Sequence, residues 1–169
     1  MSALGECPRL DYLETRSQLL ERLTAMDVPA VVAQVESAGN QYAQRFEKLH
    51  LGVSKPALLY RAAKANKCSL DTADVYCSMS HGLYQIMGFN LYGAALEYEK
   101  PIWFFLNSKI EQESTLRKFL AAAGLDSITF DQLLNDQASR EKFARYYNGP
   151  GAIADYSARL LLAAKQLCK

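Results

Sequence analysis

The sequence predicts a mainly α-helical protein, and three observations carry that prediction. Apolar residues recur at helical spacing along most of the chain. Prolines and capping side chains stand where helices would begin, and glycines stand where helices would end. Half of the 169 residues are hydrophobic, which is enough for a sizeable core. We therefore expect one compact helical domain over residues 1–169, with a leading helix within 1–26 and the core in 27–169.

Local signals place the individual helices after the leading one. Asp27 is expected to cap the helix VPAVVAQVES, which is apolar on most sides and stops at Gly39. Four further helices are expected: one starting at Pro56, one over about Pro101–Ala123, one capped by Ser139, and a last one with the sequence IADYSARLLLAAKQL. Few runs alternate with a period of two residues, and the segment 40–51 is ambiguous.

Composition and charge exclude several functional classes. The formal net charge is +1 without a block of like charges, so no nucleic-acid partner is expected. No window offers the roughly 18 uninterrupted apolar residues that a membrane span needs. Two histidines and no CxxC pair argue against a zinc site, and no metal or other cofactor is expected. The N-terminus MSALGECPRLDYLETR carries acids where a signal peptide needs an apolar stretch, which predicts synthesis in a cytoplasm.

The four cysteines, Cys7, Cys68, Cys77 and Cys168, are widely spaced. Their even number would permit two disulfides. Cys7 and Cys168 lie near opposite termini, and chain termini are often close in space. We expect four separate thiols, because a chain of this length does not need the cross-links that small domains use.

Two glutamates are candidates for acid–base chemistry. Glu36 ends the apolar helix VPAVVAQVES, where the helix dipole and burial would both disfavour its charge. A carboxyl group that stays protonated near neutral pH can act as a general acid on a leaving oxygen. Glu47 follows in QRFEKLH. Glycoside hydrolases usually use a pair of carboxyl groups for catalysis. The alternative is that both are ordinary surface charges.

Three segments, VAQVESAGN, SMSHGLYQIMGFN and ARYYNGPGAIADY, occur in this order in the sequence. Together they resemble the phage-type N-acetylmuramidases found in endolysins and secreted effectors, which form part of the lysozyme superfamily. The resemblance spans about residues 27–156. It implies a lysozyme-like helical fold without a metal or organic cofactor.

The resemblance also implies a function. The expected activity is hydrolysis of the β-1,4 bond between N-acetylmuramic acid and N-acetylglucosamine, by a monomer that binds peptidoglycan glycan strands. Without a signal peptide, the protein would be made in the cytoplasm and act on the cell wall or in the periplasm after release or export. Two alternatives stay open, a lytic transglycosylase and an inactive glycan-binding protein of the same superfamily.

Individual residues take their expected roles from the resemblance. Glu36 matches the catalytic acid of the family, and Glu47 matches a second acidic element. The expected substrate-binding residues are Ser80, Gly82, Gln85, Asn90, Tyr147 and Asn148. Gly82 would let the backbone approach a sugar closely, and Gln85 would offer its amide to an N-acetyl or hydroxyl group. His81 stands where relatives often carry a tryptophan.

Overall fold

The structure is a computed structural model that describes residues 27–168. It is mainly helical, as predicted. The helices are α1 (Val28–Ser37), α2 (Pro56–Asn66), α3 (Leu70–Cys77), α4 (Gly88–Leu91), α5 (Ile102–Leu106), α6 (Lys109–Ala122), α7 (Phe130–Asn135), α8 (Gln137–Tyr147) and α9 (Ile153–Leu167). The strands are β1 (Gln44–Phe46), β2 (Met79–His81) and β3 (Ile86–Met87), and short 3-10 helices cover Lys48–His50 and Pro150–Ala152. The predicted leading helix lies outside the described residues.

The chain divides into two compact units. Among the described residues, the first unit comprises 27–35 and 127–168, and the second comprises 36–126. The single domain expected over residues 1–169 stays a prediction. Between residues 27 and 168, no helix is both long and apolar enough to cross a membrane.

Helices α7, α8 and α9 lie in the first unit, where Leu133, Phe143 and Leu160 are completely buried. Helix α8 begins at Gln137, so the predicted cap at Ser139 is wrong. The side chain of Asp136 caps the helix instead, because its carboxylate accepts hydrogen bonds from two backbone N–H groups of the first turn. The hydroxyl of Ser139 donates to the same carboxylate and is the main cause of the lowered pKa of Asp136.

In the second unit, the single helix predicted over Pro101–Ala123 is divided into two helices, α5 and α6. The break occurs because Ser108 starts a new helix, its side chain accepting a hydrogen bond from the first turn of α6. Gln112 then donates from its side-chain amide to the carbonyl oxygens of Phe105 (3.1 Å) and Leu106 (3.2 Å), at the end of α5. The interruption therefore leaves few backbone groups without a partner.

The three strands form a small antiparallel sheet in the order β1–β2–β3 within the second unit. Gln44 pairs with His81 and Phe46 with Met79, and β1 is exposed along its length. The ambiguous segment 40–51 thus contains an edge strand followed by a 3-10 turn. Large apolar side chains are exposed along and just beyond this segment: Tyr42, Phe46, Leu49, Leu51 and Val53.

The cysteines differ from the expectation of four separate thiols. Cys68 and Cys77 are free, whereas Cys168 is disulfide-bonded, so the expectation is wrong for Cys168. A chain of this length does not need a cross-link for stability, but folding can still bring two thiols close enough to form one. Cys7 lies outside the described residues. Burial raises the pKa of the Cys77 thiol to about 11, which keeps it protonated and unreactive near neutral pH.

Candidate active site

Glu36 lies in the last turn of α1, where the sequence placed it, and is half-buried. The helix ends because Ala38 and Gly39 adopt positive φ angles of 51° and 80°. The hydroxyl of the next residue, Ser37, donates to the carbonyl oxygen of Leu83 at 2.8 Å. The end of the helix that carries Glu36 is therefore attached to the turn between β2 and β3.

Glu47 lies directly after β1, at the edge of the same small sheet. Its backbone N–H donates to the carbonyl oxygen of Ser78 at 2.9 Å, which continues the pairing of β1 with β2. Its side chain is 33% exposed, and the carboxylate accepts a hydrogen bond from Nε of Arg45. Both the backbone and the side chain of Glu47 are thus held by neighbours on this sheet.

Gln85 connects several parts of the second unit through its side-chain amide. Its Oε1 accepts a hydrogen bond from the buried hydroxyl of Ser80 at 2.7 Å. Its Nε2 donates to the carbonyl oxygens of Ala43 at 3.1 Å and Gly82 at 3.0 Å. Gln85 also has a φ of 46°, a left-handed conformation that is uncommon for a residue with a side chain. Because both amide hydrogens are committed to protein carbonyls, only Oε1 keeps capacity for a further hydrogen bond.

Gln112 is a second connecting side chain, which the sequence analysis missed. It is fully buried, and its Oε1 accepts a hydrogen bond from the backbone N–H of Leu83 at 2.6 Å. Its Nε2 lies 3.2 Å from the carbonyl oxygen of Gln41. Gln112 shares the buried face of α6 with Leu116 and Leu120, four and eight residues further on. A polar side chain in an apolar helical stripe was the signal that could have found it.

The two glycines of SMSHGLYQIMGFN both have structural explanations. Gly82 has a φ of 78°, and a Cβ there would overlap the side-chain amide of Gln112 and lie 3.0 Å from the ring of Phe105. A Cβ on Gly88 would collide with the carbonyl oxygen of Tyr76, at the end of α3. Gly82 therefore allows its backbone to pack closely against the side chains of Gln112 and Phe105.

His81 is fully buried between β1 and α3. Its Nε2 lies 2.9 Å from the carbonyl oxygen of Tyr76, and its Nδ1 lies 3.0 Å from the amide nitrogen of Gln44. Since a carbonyl oxygen can only accept, Nε2 carries the proton and Nδ1 accepts from Gln44. Burial lowers the pKa of His81 from its ordinary value of 6.5 to about 4. His81 therefore stabilises the sheet from the interior, and its side chain has no exposed surface that a glycan could contact.

We expect the imidazole of His81 to stay neutral in the folded protein down to about pH 4. In the unfolded chain it takes up a proton near pH 6.5, so the unfolded state is favoured as the pH falls between these values. The loss of stability reaches roughly 3 kcal/mol below the lower pKa. The measurement is an NMR titration of a His50→Gln variant, in which His81 is the one remaining histidine. A midpoint near the ordinary value would contradict this assignment.

The remaining predicted site residues fall in both units. Asn90 lies in α4 of the second unit, and its side chain makes no hydrogen bond with the part of the chain that the structure describes. Tyr147 lies in the first unit, stacked between Phe143 (ring centroids 5.3 Å apart) and Tyr156 (6.2 Å). Asn148 follows it as the exposed C-terminal cap of α8. Six of the eight predicted residues therefore belong to the second unit.

A helical scaffold that holds two glutamates beside a small sheet suits a glycoside hydrolase, whose reaction needs a pair of carboxyl groups. Comparison with known proteins supports that class. The chain matches the N-acetylmuramidase family model over residues 54–167. It is 40% identical over 134 residues to an endolysin of Enterobacteria phage PRD1, an alignment that covers 74% of this chain and 87% of that relative. No solved structure matches the chain significantly.

The chain belongs to the N-acetylmuramidase family. This confirms the predicted family, the mainly α fold class and the assignment as a glycoside hydrolase that acts on peptidoglycan. The family-model match begins at residue 54, beyond both Glu36 and Glu47. Neither similarity assigns a role to a particular residue, so the roles of all eight site residues stay predictions. Within residues 27–168, no group of three or more His, Cys, Asp or Glu side chains is placed to hold a metal ion.

Proposed function

We propose that this N-acetylmuramidase uses Glu36 and Glu47 to hydrolyse the β-1,4 bond between N-acetylmuramic acid and N-acetylglucosamine in peptidoglycan. The observation that carries the proposal is a set of hydrogen bonds within the second unit. Ser37 bonds to Leu83, and Gln85 bonds to Ala43, a few residues before Glu47. Three segments that are far apart in the sequence, around residues 36, 47 and 80–85, thereby meet at one small sheet.

Glu36 acts in this proposal as the general acid. It donates its proton to the glycosidic oxygen while the bond from that oxygen to the muramic acid ring breaks. It lies at the C-terminal end of α1, where the negative end of the helix dipole is unfavourable for a carboxylate. Attachment of Ser37 to Leu83 keeps this end of the helix in place during the reaction.

Glu47 supplies the second carboxyl group. It takes a proton from water as the water oxygen bonds to the sugar, or it stabilises the positive charge that develops on the ring. Arg45 orients the carboxylate through its hydrogen bond, and the backbone bond to Ser78 fixes the residue at the end of the strand. Ser80, Gly82 and Gln85 then support the sheet beneath the substrate, while Asn90, Tyr147 and Asn148 are proposed contacts for the glycan.

We expect Glu47→Gln to lower the rate of glycan cleavage about 100-fold, since the amide cannot accept the proton of the attacking water. The wild-type digest should contain fragments with a reducing muramic acid end. The measurement is mass spectrometry of the digest before and after borohydride, which adds two hydrogens to each reducing end. Glu99→Gln, an exposed glutamate in the same unit, serves as the control and should keep the wild-type rate.

Two outcomes would contradict this assignment. Fragments that are one water lighter and unchanged by borohydride would identify a lytic transglycosylase, in which the substrate's own hydroxyl attacks and Glu47 has no role. A folded wild-type protein that binds peptidoglycan but releases no fragments would identify an inactive glycan-binding protein. In the first case Glu36 would keep its role as both acid and base.

We further propose that the protein acts as a monomer on the cell wall or in the periplasm, after synthesis in the cytoplasm and release or export. The relative in phage PRD1 is an endolysin, which supports action on the wall. The disulfide bond of Cys168 also supports it, because disulfides persist in oxidising compartments outside the cytoplasm.

A further inference from the structure

A cavity of about 420 Å³ in the second unit has no part in the chemistry proposed above. Its size lies within the range of roughly 300–1,000 Å³ that is usual for ligand pockets. The side chains that matter for its chemistry are His50, Val53, Lys55, Leu58, Arg61 and Phe89. We call it the Lys55 cavity.

The Lys55 cavity begins next to Glu47. His50, in its wall, closes the 3-10 turn that follows Glu47, and its backbone N–H donates to the carbonyl oxygen of Glu47 at 2.9 Å. The ring of His50 packs against Phe89, which also lines the cavity, with centroids 5.0 Å apart. The wall of the cavity that contains His50 is therefore joined directly to the backbone of Glu47.

The lining of the Lys55 cavity combines apolar surface with positive charge. Val53, Leu58 and Phe89 supply apolar surface, and no carboxylate of residues 27–168 lines the cavity. Arg61 pairs with the exposed carboxylate of Glu97 at 3.2 Å, which lies outside this cavity. Lys55 forms no ion pair within residues 27–168. The cavity is therefore suited to an anionic ligand that also carries small apolar groups.

The stability of the fold does not account for the charge of Lys55. The residue occupies the N-cap position of α2, and its side chain makes no capping hydrogen bond there. A cation at this end of a helix is disfavoured by the helix dipole, whose positive end it faces. Replacing Lys55 by a neutral residue should consequently leave the helix at least as stable.

We propose that the Lys55 cavity binds the acidic stem peptide carried by muramic acid, which makes peptide-bearing glycan the preferred substrate. The inference rests on the proposed function. The peptide is attached, through the lactyl group, to the same sugar whose bond is cleaved, so it must leave the strand close to Glu36 and Glu47. Its lactyl and alanyl methyl groups match the apolar walls, and its carboxylates match the charge of Lys55.

The first test compares two substrates. One is intact peptidoglycan, and the other is the same glycan with its stem peptides removed by an amidase. The wild-type protein should have a higher kcat/KM on the peptide-bearing strands, and Lys55→Gln should lower this preference about fivefold. Lys64→Gln, a change of another exposed lysine on α2 that does not line the cavity, should leave the preference and the rate at wild-type values.

The second test measures binding without turnover. N-acetylmuramoyl-L-alanyl-D-glutamate is titrated into the protein, and the NMR signals of the backbone amides of Ala57, Phe89 and Ala94, which line the cavity, should shift. The same compound with its carboxyl groups amidated should cause smaller shifts, and Lys55→Gln should weaken the binding of the acidic form alone.

The outcomes separate this proposal from the proposed function. If both substrates are cleaved equally well and Lys55→Gln keeps the wild-type preference, peptide recognition is wrong while the muramidase assignment stands. If neither substrate is cleaved and the muramoyl peptide shifts no cavity signal, both are wrong. A preference for peptide-bearing strands that Lys55→Gln reduces, together with shifts of the cavity amides, supports the proposal.

Discussion

Glu36→Gln is expected to lower the rate of peptidoglycan cleavage at least about 100-fold, because the amide has no acidic proton to give to the leaving oxygen. Glutamine has nearly the shape of glutamic acid, and Glu36 is only half-buried at the end of α1. The variant should therefore fold and melt as the wild type does. The measurement is the release of soluble fragments from purified peptidoglycan, with circular dichroism to follow the helices.

Gln34→Ala is a matched control, since Gln34 is exposed on the same helix two residues earlier. It should keep the wild-type rate and melting temperature. If folded Glu36→Gln keeps more than about a tenth of the wild-type rate, Glu36 is not the general acid.

Gln112→Leu is expected to lower the free energy of unfolding by about 4 kcal/mol. Leucine fits the buried stripe of α6, but it removes the acceptor of the Leu83 N–H and the donor for the carbonyl oxygens of Gln41, Phe105 and Leu106. The buried Leu83 N–H is left without an acceptor, which costs about 1–3 kcal/mol, and the three carbonyl oxygens each lose one hydrogen bond as well. Urea denaturation followed by circular dichroism measures the change.

The same substitution at an exposed glutamine separates loss of these hydrogen bonds from a general effect of leucine. Gln137→Leu, in the first turn of α8, should change the unfolding free energy by less than about 0.5 kcal/mol. If Gln112→Leu also changes the free energy of unfolding by less than about 0.5 kcal/mol, the hydrogen bonds of Gln112 do not stabilise this part of the second unit.

The parts of the fold that depend on local signals could be predicted from the sequence. The carboxylate of Asp27 accepts a hydrogen bond from the N–H of Ala30 at 2.9 Å, which confirms it as the cap of α1. Helix α9 coincides with the predicted segment Ile153–Leu167. In both cases the capping residue or the apolar spacing lies within the element itself, so no distant part of the chain is needed to define it.

Elements that depend on distant partners could not be predicted. A strand of two or three residues is too short to show a period, and β1 exists because it pairs with residues 79–81, more than thirty positions later. The residues on both sides of Ser108 have a helical pattern, which by itself predicts one continuous helix. The break at Ser108 is favoured because Gln112 satisfies the carbonyl oxygens of Phe105 and Leu106 at the end of α5.

The local structure around the candidate residues could be predicted in part, whereas their roles stay predictions. Glu36 lies at the expected end of its helix, and Gly82 and Gln85 lie in the turn that the sequence singled out. Their structural partners are separated from them in the sequence: Gly82 meets Gln112, and Gln85 reaches back to Ala43. A pattern in one segment marks such residues as unusual, and only the folded chain shows what they contact.

The exposed apolar side chains between Tyr42 and Val53 affect how the protein should be kept in solution. The isoelectric point is about 7.6, so molecules near neutral pH carry almost no net charge to repel one another while this apolar segment is available for self-association. Acidification would restore the repulsion, but it would also favour the unfolded state through His81. The suitable buffers therefore lie above the isoelectric point and below the ordinary thiol pKa of 9.0, because above that value the unfolded chain gains a Cys77 thiolate that burial disfavours in the fold.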